Sequence, residues 1–313
     1  MHNIALFGDA LIDLIKDRKS FDFSPVCGGS IFNTAVTLAR LSINVDFYSY
    51  IGNDFWGNFI IEKMREYKIN SENVKRIDDY KTALAFCIIN RDGNATYDFY
   101  RQNSKVKMDI KNIVNSSLFY YGSIFSILNE NRNNVKKMIN MAKKNNILIM
   151  YDPNIRKKHL NSKKSKKYIY ENFKSSDIIK CSIEDLANIT NITKIEDGFN
   201  FLSQFKPILV IITDGSNGSY AKLRGGNIIK AEAIKIRNIV DTIGAGDNFS
   251  AGIIYFLIKK SFLNKEKILT MNENILLNLL YFANKCAGFS LKSKGAFILE
   301  RDILKFLRIF NSL

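Results

Sequence analysis

Short apolar runs alternate along this chain with stretches of helical periodicity, and that alternation narrows the folds open to it. Residues 4–7, 45–48, 118–121, 147–151 and 208–213 are apolar runs, each reading as a strand buried on both faces. Between them, 31–41, 55–67, 131–144 and 183–188 repeat apolar residues at helical spacing. Such alternation predicts an α/β layer structure: a mostly parallel sheet, helices on both faces, and ligands gathered at the carboxyl ends of the strands. The rhythm breaks once. Residues 84–89 and 96–101 flank a glycine-containing turn at 90–94 with no helix between them, the pattern of a β-hairpin. Together with 11–26 it predicts a small second sheet lying over the main one. These insertions, about 11–26 and 82–104, would belong to a single unit spanning 1–313.

Composition removes several classes of function. The four cysteines, Cys27, Cys87, Cys181 and Cys286, are far apart and form no CxxC pair, which argues against a zinc ribbon or a dithiol redox site. Two histidines, His2 and His159, leave carboxylates as the available acid–base groups. No apolar run approaches the ~20 residues that span a bilayer. The first residues pass directly into a strand without the pattern of a secretory leader, so the expectation is a cytoplasmic protein with no membrane partner. The formal charge is +16, which attracts phosphate. The lysines are nevertheless spread along the chain, and the densest group, 157–167, has no interleaved aromatic platform for stacking bases. The reading is a solvated basic surface with no nucleic-acid partner.

The segment richest in chemistry is Asp241-Thr242-Ile243-Gly244-Ala245-Gly246-Asp247, followed by Phe249, Ile253, Phe256 and Leu257 at helical spacing. Two glycines in three residues therefore open a helix, where backbone N–H groups lack intrahelical partners and the dipole is positive. Small residues let an anion approach that backbone, which makes a site suited to a phosphoryl group. A carboxylate beside such a site would repel the anion. Asp247 makes chemical sense as a base that takes the proton of an attacking hydroxyl. Two further features point the same way. Gly28 and Gly29 precede a helix that carries Asn33, pairing close backbone approach with a side chain that both donates and accepts. Asp13 follows the first strand, and Asp152-Pro153-Asn154-Ile155-Arg156 follows the strand at 147–151.

The 241–247 stretch resembles the C-terminal signature of the ribokinase-like (phosphofructokinase-B) carbohydrate kinases, whose core is DTxGAGD. Gly28-Gly29-Ser30-Ile31-Phe32-Asn33 resembles the N-terminal signature of the same family, and 152–156 the DPNxR segment of its fructokinase branch. The resemblance runs from about Asn3 to Phe297. It implies a three-layer α/β/α sandwich with a small β-sheet lid. It makes Asp247 the catalytic base and Gly244, Ala245 and Gly246 the anion hole. Asp13, Gly28, Gly29, Asn33 and Asn154 would meet the sugar, and Arg156 would help at the phosphate. Arg101 would either bind a substrate carboxylate or lie on the lid surface.

Thr213-Asp214-Gly215-Ser216-Asn217-Gly218 is similar to the family's nucleotide loop, which implies Thr213, Gly215 and Gly218 as nucleotide contacts. Tyr281–Gly288, with Asn284, is similar to the helix beside the adenine. Where the family often has N-x-x-E, this chain has Ser182 and Asp185 after Lys180, with Glu184 adjacent. Lys180 is taken as a nucleotide-side residue. Glu184 or Asp185 would hold magnesium through water, and the sequence does not choose between them. The implied cofactors are ATP, Mg2+ and a monovalent cation such as K+. The implied reaction is ATP-dependent phosphorylation of fructose to fructose 6-phosphate. Phosphorylation of 2-keto-3-deoxygluconate, of ribose or of a nucleoside is the nearest alternative, and a catalytically silent binding protein the alternative from another class. Pairing of lids would make a homodimer.

Overall fold

The computed structural model describes residues 3–17, 20–89, 95–160, 162–237, 239–240, 242–292, 296, 298 and 300–311. The hairpin turn at 90–94, Asp241 and Gly295 lie outside the described residues. The strands are β1 (Asn3–Phe7), β2 (Leu11–Lys16), β3 (Phe23–Gly28), β4 (Asn44–Gly52), β5 (Val74–Ile77), β6 (Leu84–Ile89), β7 (Ala95–Tyr100), β8 (Ser116–Gly122), β9 (Leu148–Asp152), β10 (Ile178–Ser182), β11 (Leu209–Thr213), β12 (Ser219–Leu223) and β13 (Ile228–Ala231). The helices are α1 (Ser30–Arg40), α2 (Phe55–Glu66), α3 (Arg132–Lys144), α4 (Lys163–Ser175), α5 (Ile183–Thr190), α6 (Ile195–Ser203), α7 (Ala245–Lys259), α8 (Lys265–Leu269), α9 (Glu273–Ser290) and α10 (Glu300–Asn311).

Nine strands form the main sheet in the order β13-β12-β11-β10-β9-β8-β1-β4-β5. From β5 to β11 all neighbours run parallel, and β12 and β13 add an antiparallel edge. The continuous apolar runs read from the sequence are the central strands, because each strand buries both faces. Ile4 and Leu6 enter one core, Ala5 and Phe7 the other; Leu118 and Tyr120 face Phe119 and Tyr121 in the same way. One core is closed by α1, α2, α7 and α9, the other by α3, α4, α5 and α6.

The two-sided cover follows from the strand order. The chain runs from β1 outward to β4 and β5, then returns to place β8 on the other side of β1. Right-handed crossovers built in opposite directions put their helices on opposite faces. The reversal leaves a crevice at the carboxyl ends of β1 and β8, the usual place for a ligand in such sheets. The second sheet, β3-β2-β6-β7, is built from the two predicted insertions. Strands β5, β12 and β13 were not anticipated. They are short strands at the two sides of the sheet, β5 and β13 at its edges and β12 next to β13, and their mixed sequences, such as Val74-Lys75-Arg76-Ile77, lack the apolar signal of a strand covered on both faces.

Candidate active site

Helix α7 begins with Gly244 as its N-cap, in the left-handed region at φ 77°. A Cβ at Gly244 would also come within 2.5 Å of the Ala296 Cβ, so this turn requires glycine on two counts. The first-turn amides that follow precede the helix's own hydrogen-bond ladder. A cation stands at the turn: a Cβ added to Gly246 would lie 3.5 Å from the Lys180 ammonium. Amide donors and a lysine thus converge where an anion would sit.

Asp247 projects from this first turn and is buried to 6% exposure. Its Oδ1 accepts from the Ser30 hydroxyl at 2.6 Å and from Asn154 Nδ2 at 3.4 Å, and its Oδ2 accepts from Asn33 Nδ2 at 2.7 Å. Asn154 also donates to Ser30 Oγ at 2.7 Å, and Thr34 Oγ1 holds the Asp247 carbonyl at 3.0 Å. Two segments distant from it in sequence therefore fix one carboxylate. Burial raises its pKa to about 6, while the hydrogen bonds from Ser30 and Asn33 and the charge of Lys180 act to lower it. A carboxyl group so poised is ionised at neutral pH yet more basic than an exposed aspartate, as general-base work requires.

The predicted sugar residues gather around it. Gly29 has φ 113°, and a Cβ there would strike the Asp9 carbonyl oxygen at 2.3 Å. A Cβ on Gly28 would fall 1.9 Å from Asp13 Oδ2. Asp13 itself is raised to about 7, first by burial and then by the negative charge of Asp247, which sets the two carboxylates within electrostatic reach. Asn154 adopts φ 43° just after β9, a conformation asparagine tolerates better than most residues. The side-chain oxygen Oδ1 of Asn33 is buried without a hydrogen-bond partner among the described residues. A buried acceptor of this kind calls for a donor, and a ligand hydroxyl is one.

Two expectations change. Arg101 is neither a lid-surface residue nor an open receptor for a substrate carboxylate. Its guanidinium forms a bidentate ion pair with Asp9, and both side chains are 8% exposed. Arg156 is exposed at the rim, with its guanidinium 4.9 Å over the ring of Tyr97 on the lid.

On the phosphate side, Lys180 donates to Asp152 Oδ2 at 2.8 Å, and the pair is 4% and 0% exposed. Burial acts to lower the Lys180 pKa, but the charge and hydrogen bond of Asp152 prevail and raise it. Ser250 and Tyr120 also donate to Asp152 Oδ2, at 3.1 and 3.3 Å. Its Oδ1 is buried with no partner among the described residues. Asp185 and Glu184 separate clearly. Glu184 is exposed. Asp185 turns inward, forms a reciprocal capping box with Ser182 and accepts from the Ile155 N–H at 2.7 Å. Its pKa is raised, first by burial and then by Asp152. Among the described residues there is no cluster of three metal-ligating side chains. The buried Asp185 and the unpartnered Oδ1 of Asp152 are the carboxylate groups on this side that could hold a hydrated divalent ion.

Thr213 ends β11 opposite Ser219, and Gly215–Asn217 makes one tight turn before Gly218. Asn284 lies on the neighbouring helix α9, where its amide donates to the Glu232 and Ala231 carbonyls at 3.1 and 3.4 Å. Close by, a cavity of about 210 Å³ lies between Ile234–Ile236 and Lys285, Phe289 and Lys292. The residues missed from the sequence are Asp9, Ser30, Asp152 and Ser250. Ser30 and Asp152 stand inside the segments 28–33 and 152–156, but only their partners across the crevice show what they touch.

Comparison with known proteins gives the family and the fold. The profile of the pfkB family of carbohydrate kinases matches residues 1–301. The chain is 30% identical to probable fructokinase-6, chloroplastic, of Arabidopsis thaliana, covering 94% of this chain and 78% of that one. It is 31% identical to probable fructokinase-5 of the same plant, covering 94% and 92%. Among solved structures, the fructokinase of Xylella fastidiosa with bound ATP superposes with a TM-score of 0.87 at 21% identity, covering 98% of each chain. The sheet order, the glycine turn that carries Asp247 and a match across nearly the whole chain make this protein a member of the pfkB family of carbohydrate kinases.

Proposed function

We propose that this protein transfers the γ-phosphate of ATP to the primary hydroxyl of fructose, giving fructose 6-phosphate. One observation carries the reading: Asp247 is buried and hydrogen-bonded by Ser30 and Asn33 at the mouth of an amide-lined turn, with Lys180 against that turn. The names borne by its sequence relatives supply the choice of fructose. Asp13, Gly28, Gly29, Asn33 and Asn154 orient the sugar hydroxyls. Asp247 accepts the proton of the attacking hydroxyl. The backbone N–H groups at Gly244, Ala245 and Gly246, with Lys180, take up charge as the phosphoryl group moves. Magnesium bound with the nucleotide supplies neutralisation of phosphate charge, and Asp185 together with the unpartnered oxygen of Asp152 would hold its water shell. The nucleotide lies along Thr213, Gly215 and Gly218 with its base toward the α9 groove, where Asn284 keeps β13 against the helix.

The small sheet closes the crevice against water. Its outer face exposes Phe23 (37%), Ile88 (43%) and Tyr100 (64%); Phe86 joins Phe23 and Tyr100 by edge-to-face ring contacts of 5.3 and 5.2 Å. An apolar face of this kind supports lid-to-lid pairing of two copies. No helix among the described residues is long and apolar enough to cross a membrane, and the four cysteines are buried thiols. Buried thiols support a reducing cytoplasm.

The experiment is ADP release from wild type and Asp247→Asn with fructose, ribose, 2-keto-3-deoxygluconate and a nucleoside, in potassium and in a large organic cation. The expectation is turnover with fructose above the others, and loss of at least ~100-fold in kcat in the variant. Preference for another acceptor would replace fructose. Binding of sugar and nucleotide without ADP release would make the protein a silent binder. Near-normal turnover in Asp247→Asn would remove the base assignment.

A further inference from the structure

We propose that Asp9 is a specificity-determining residue: by pairing with the buried Arg101 it keeps the back of the sugar site free of net charge, so the site takes neutral sugars and turns away sugar acids. The inference rests on the sugar-kinase reading above and extends it to the class of acceptor.

Asp9 follows β1 and leads into the small sheet, and Arg101 is the first residue after β7, where the chain leaves that sheet. Alternation along β7 puts Arg101 on the face of Tyr97 and Phe99. The register Asp13–Ala85–Phe99 sets that face on the side of Asp13. The Asp9 backbone, in turn, lies directly behind Gly29. The ion pair therefore stands at the sugar cradle.

Its surroundings are aromatic. The guanidinium lies 5.8 Å over Phe125, which packs 5.2 Å from Tyr50, itself 5.3 Å from Tyr80. In such low-dielectric walls a lone cation would be costly, and a bidentate carboxylate neutralises it. A sugar acid entering from solution would have to displace a carboxylate already held in place by the same chain, an unequal contest. It would also face the charges of Asp13 and Asp247. Without the Asp9 charge, Arg101 becomes an unsatisfied cation beside the cradle, and an acceptor that brings its own carboxylate is favoured. Asp9 acts through Arg101 and is a positioning residue.

The test compares wild type, Asp9→Asn and Asp9→Asn/Arg101→Gln with fructose, gluconate and 2-keto-3-deoxygluconate. It reads kcat/KM by ADP release and, independently of turnover, the thermal shift each compound produces. In Asp9→Asn the ratio of kcat/KM for either acid over fructose rises at least tenfold. The two acids, and not fructose, raise its melting temperature, and both effects vanish in the double variant. If Asp9→Asn folds poorly, the acids restore its melting transition and fructose does not. An unchanged ratio with no acid-specific thermal shift overturns the proposal, as does a gain that survives in the double variant. A wild type that phosphorylates no sugar defeats the sugar-kinase reading instead, while the thermal shifts still decide the selectivity.

Discussion

Ser30 donates its hydroxyl to Asp247 across 2.6 Å, although 217 positions separate them in the chain. The N-terminus of α1 and the N-terminus of α7 thus meet at one carboxylate. Thr37 repeats the link one layer deeper by donating to Asn248 Oδ1 at 2.6 Å. The two helices that carry the two sequence signatures are locked by side-chain hydrogen bonds, and the base is positioned by the fold that also covers the sheet.

Ser30→Ala removes a donor that stabilises ionised Asp247. Hydrogen bonds to a carboxylate lower its pKa, so the substitution raises a value already pushed up to about 6. The acid limb of the kcat/KM–pH profile moves to higher pH, and activity at pH 6 falls more than activity at pH 8. A uniform loss across the profile would show that Ser30 does not tune the base.

Asp13→Asn stabilises the protein at high pH. The folded-state pKa of Asp13 is raised to about 7 from 3.8, so the folded protein holds the proton that the unfolded chain releases. Its ionised form therefore costs stability, increasingly as pH rises from about 4 to about 7. The variant melts a few degrees above wild type at pH 8 and shows no advantage at pH 4, while losing sugar affinity. Thermal melts at the two pH values check the sign.

Gly29→Ala meets both a positive φ and a backbone oxygen at 2.3 Å. The expected cost is ~2 kcal/mol or more, with a raised KM for sugar because the turn behind the cradle must shift. Chemical denaturation and the sugar KM read the two effects separately.

Lys180→Met leaves the Asp152 carboxylate buried without its cation, a loss on the order of 3–5 kcal/mol. Asp152→Leu added to it removes the uncompensated charge and recovers much of the stability. Turnover with ATP stays low in both variants. Recovery of activity along with stability would limit Lys180 to a structural role.

Much of the fold was legible from periodicity. The central strands advertise double burial by unbroken apolar runs, and the lid hairpin shows itself by the missing helix between 89 and 95. The antiparallel strands β12 and β13 carry Tyr220, Lys222 and Lys230 at their less buried positions and give no such signal. The partner of Arg101 was not legible because a cation's role depends on which anion it meets. Asp9, 92 positions away, becomes its partner only when both ends of the lid reach one place.

The sequence by itself determined the local features: where strands and helices run, the glycine turn that opens α7, and the presence of Asp247 within it. These depend on residues a few positions apart, whose spacing sets periodicity and backbone freedom. Tertiary structure alone decided the pairings of Ser30 with Asp247, Asp9 with Arg101 and Asp152 with Lys180. Each joins segments that only the folded sheet and lid bring together, and the strength of a charge or hydrogen bond is set by distance and burial, which are properties of the folded chain.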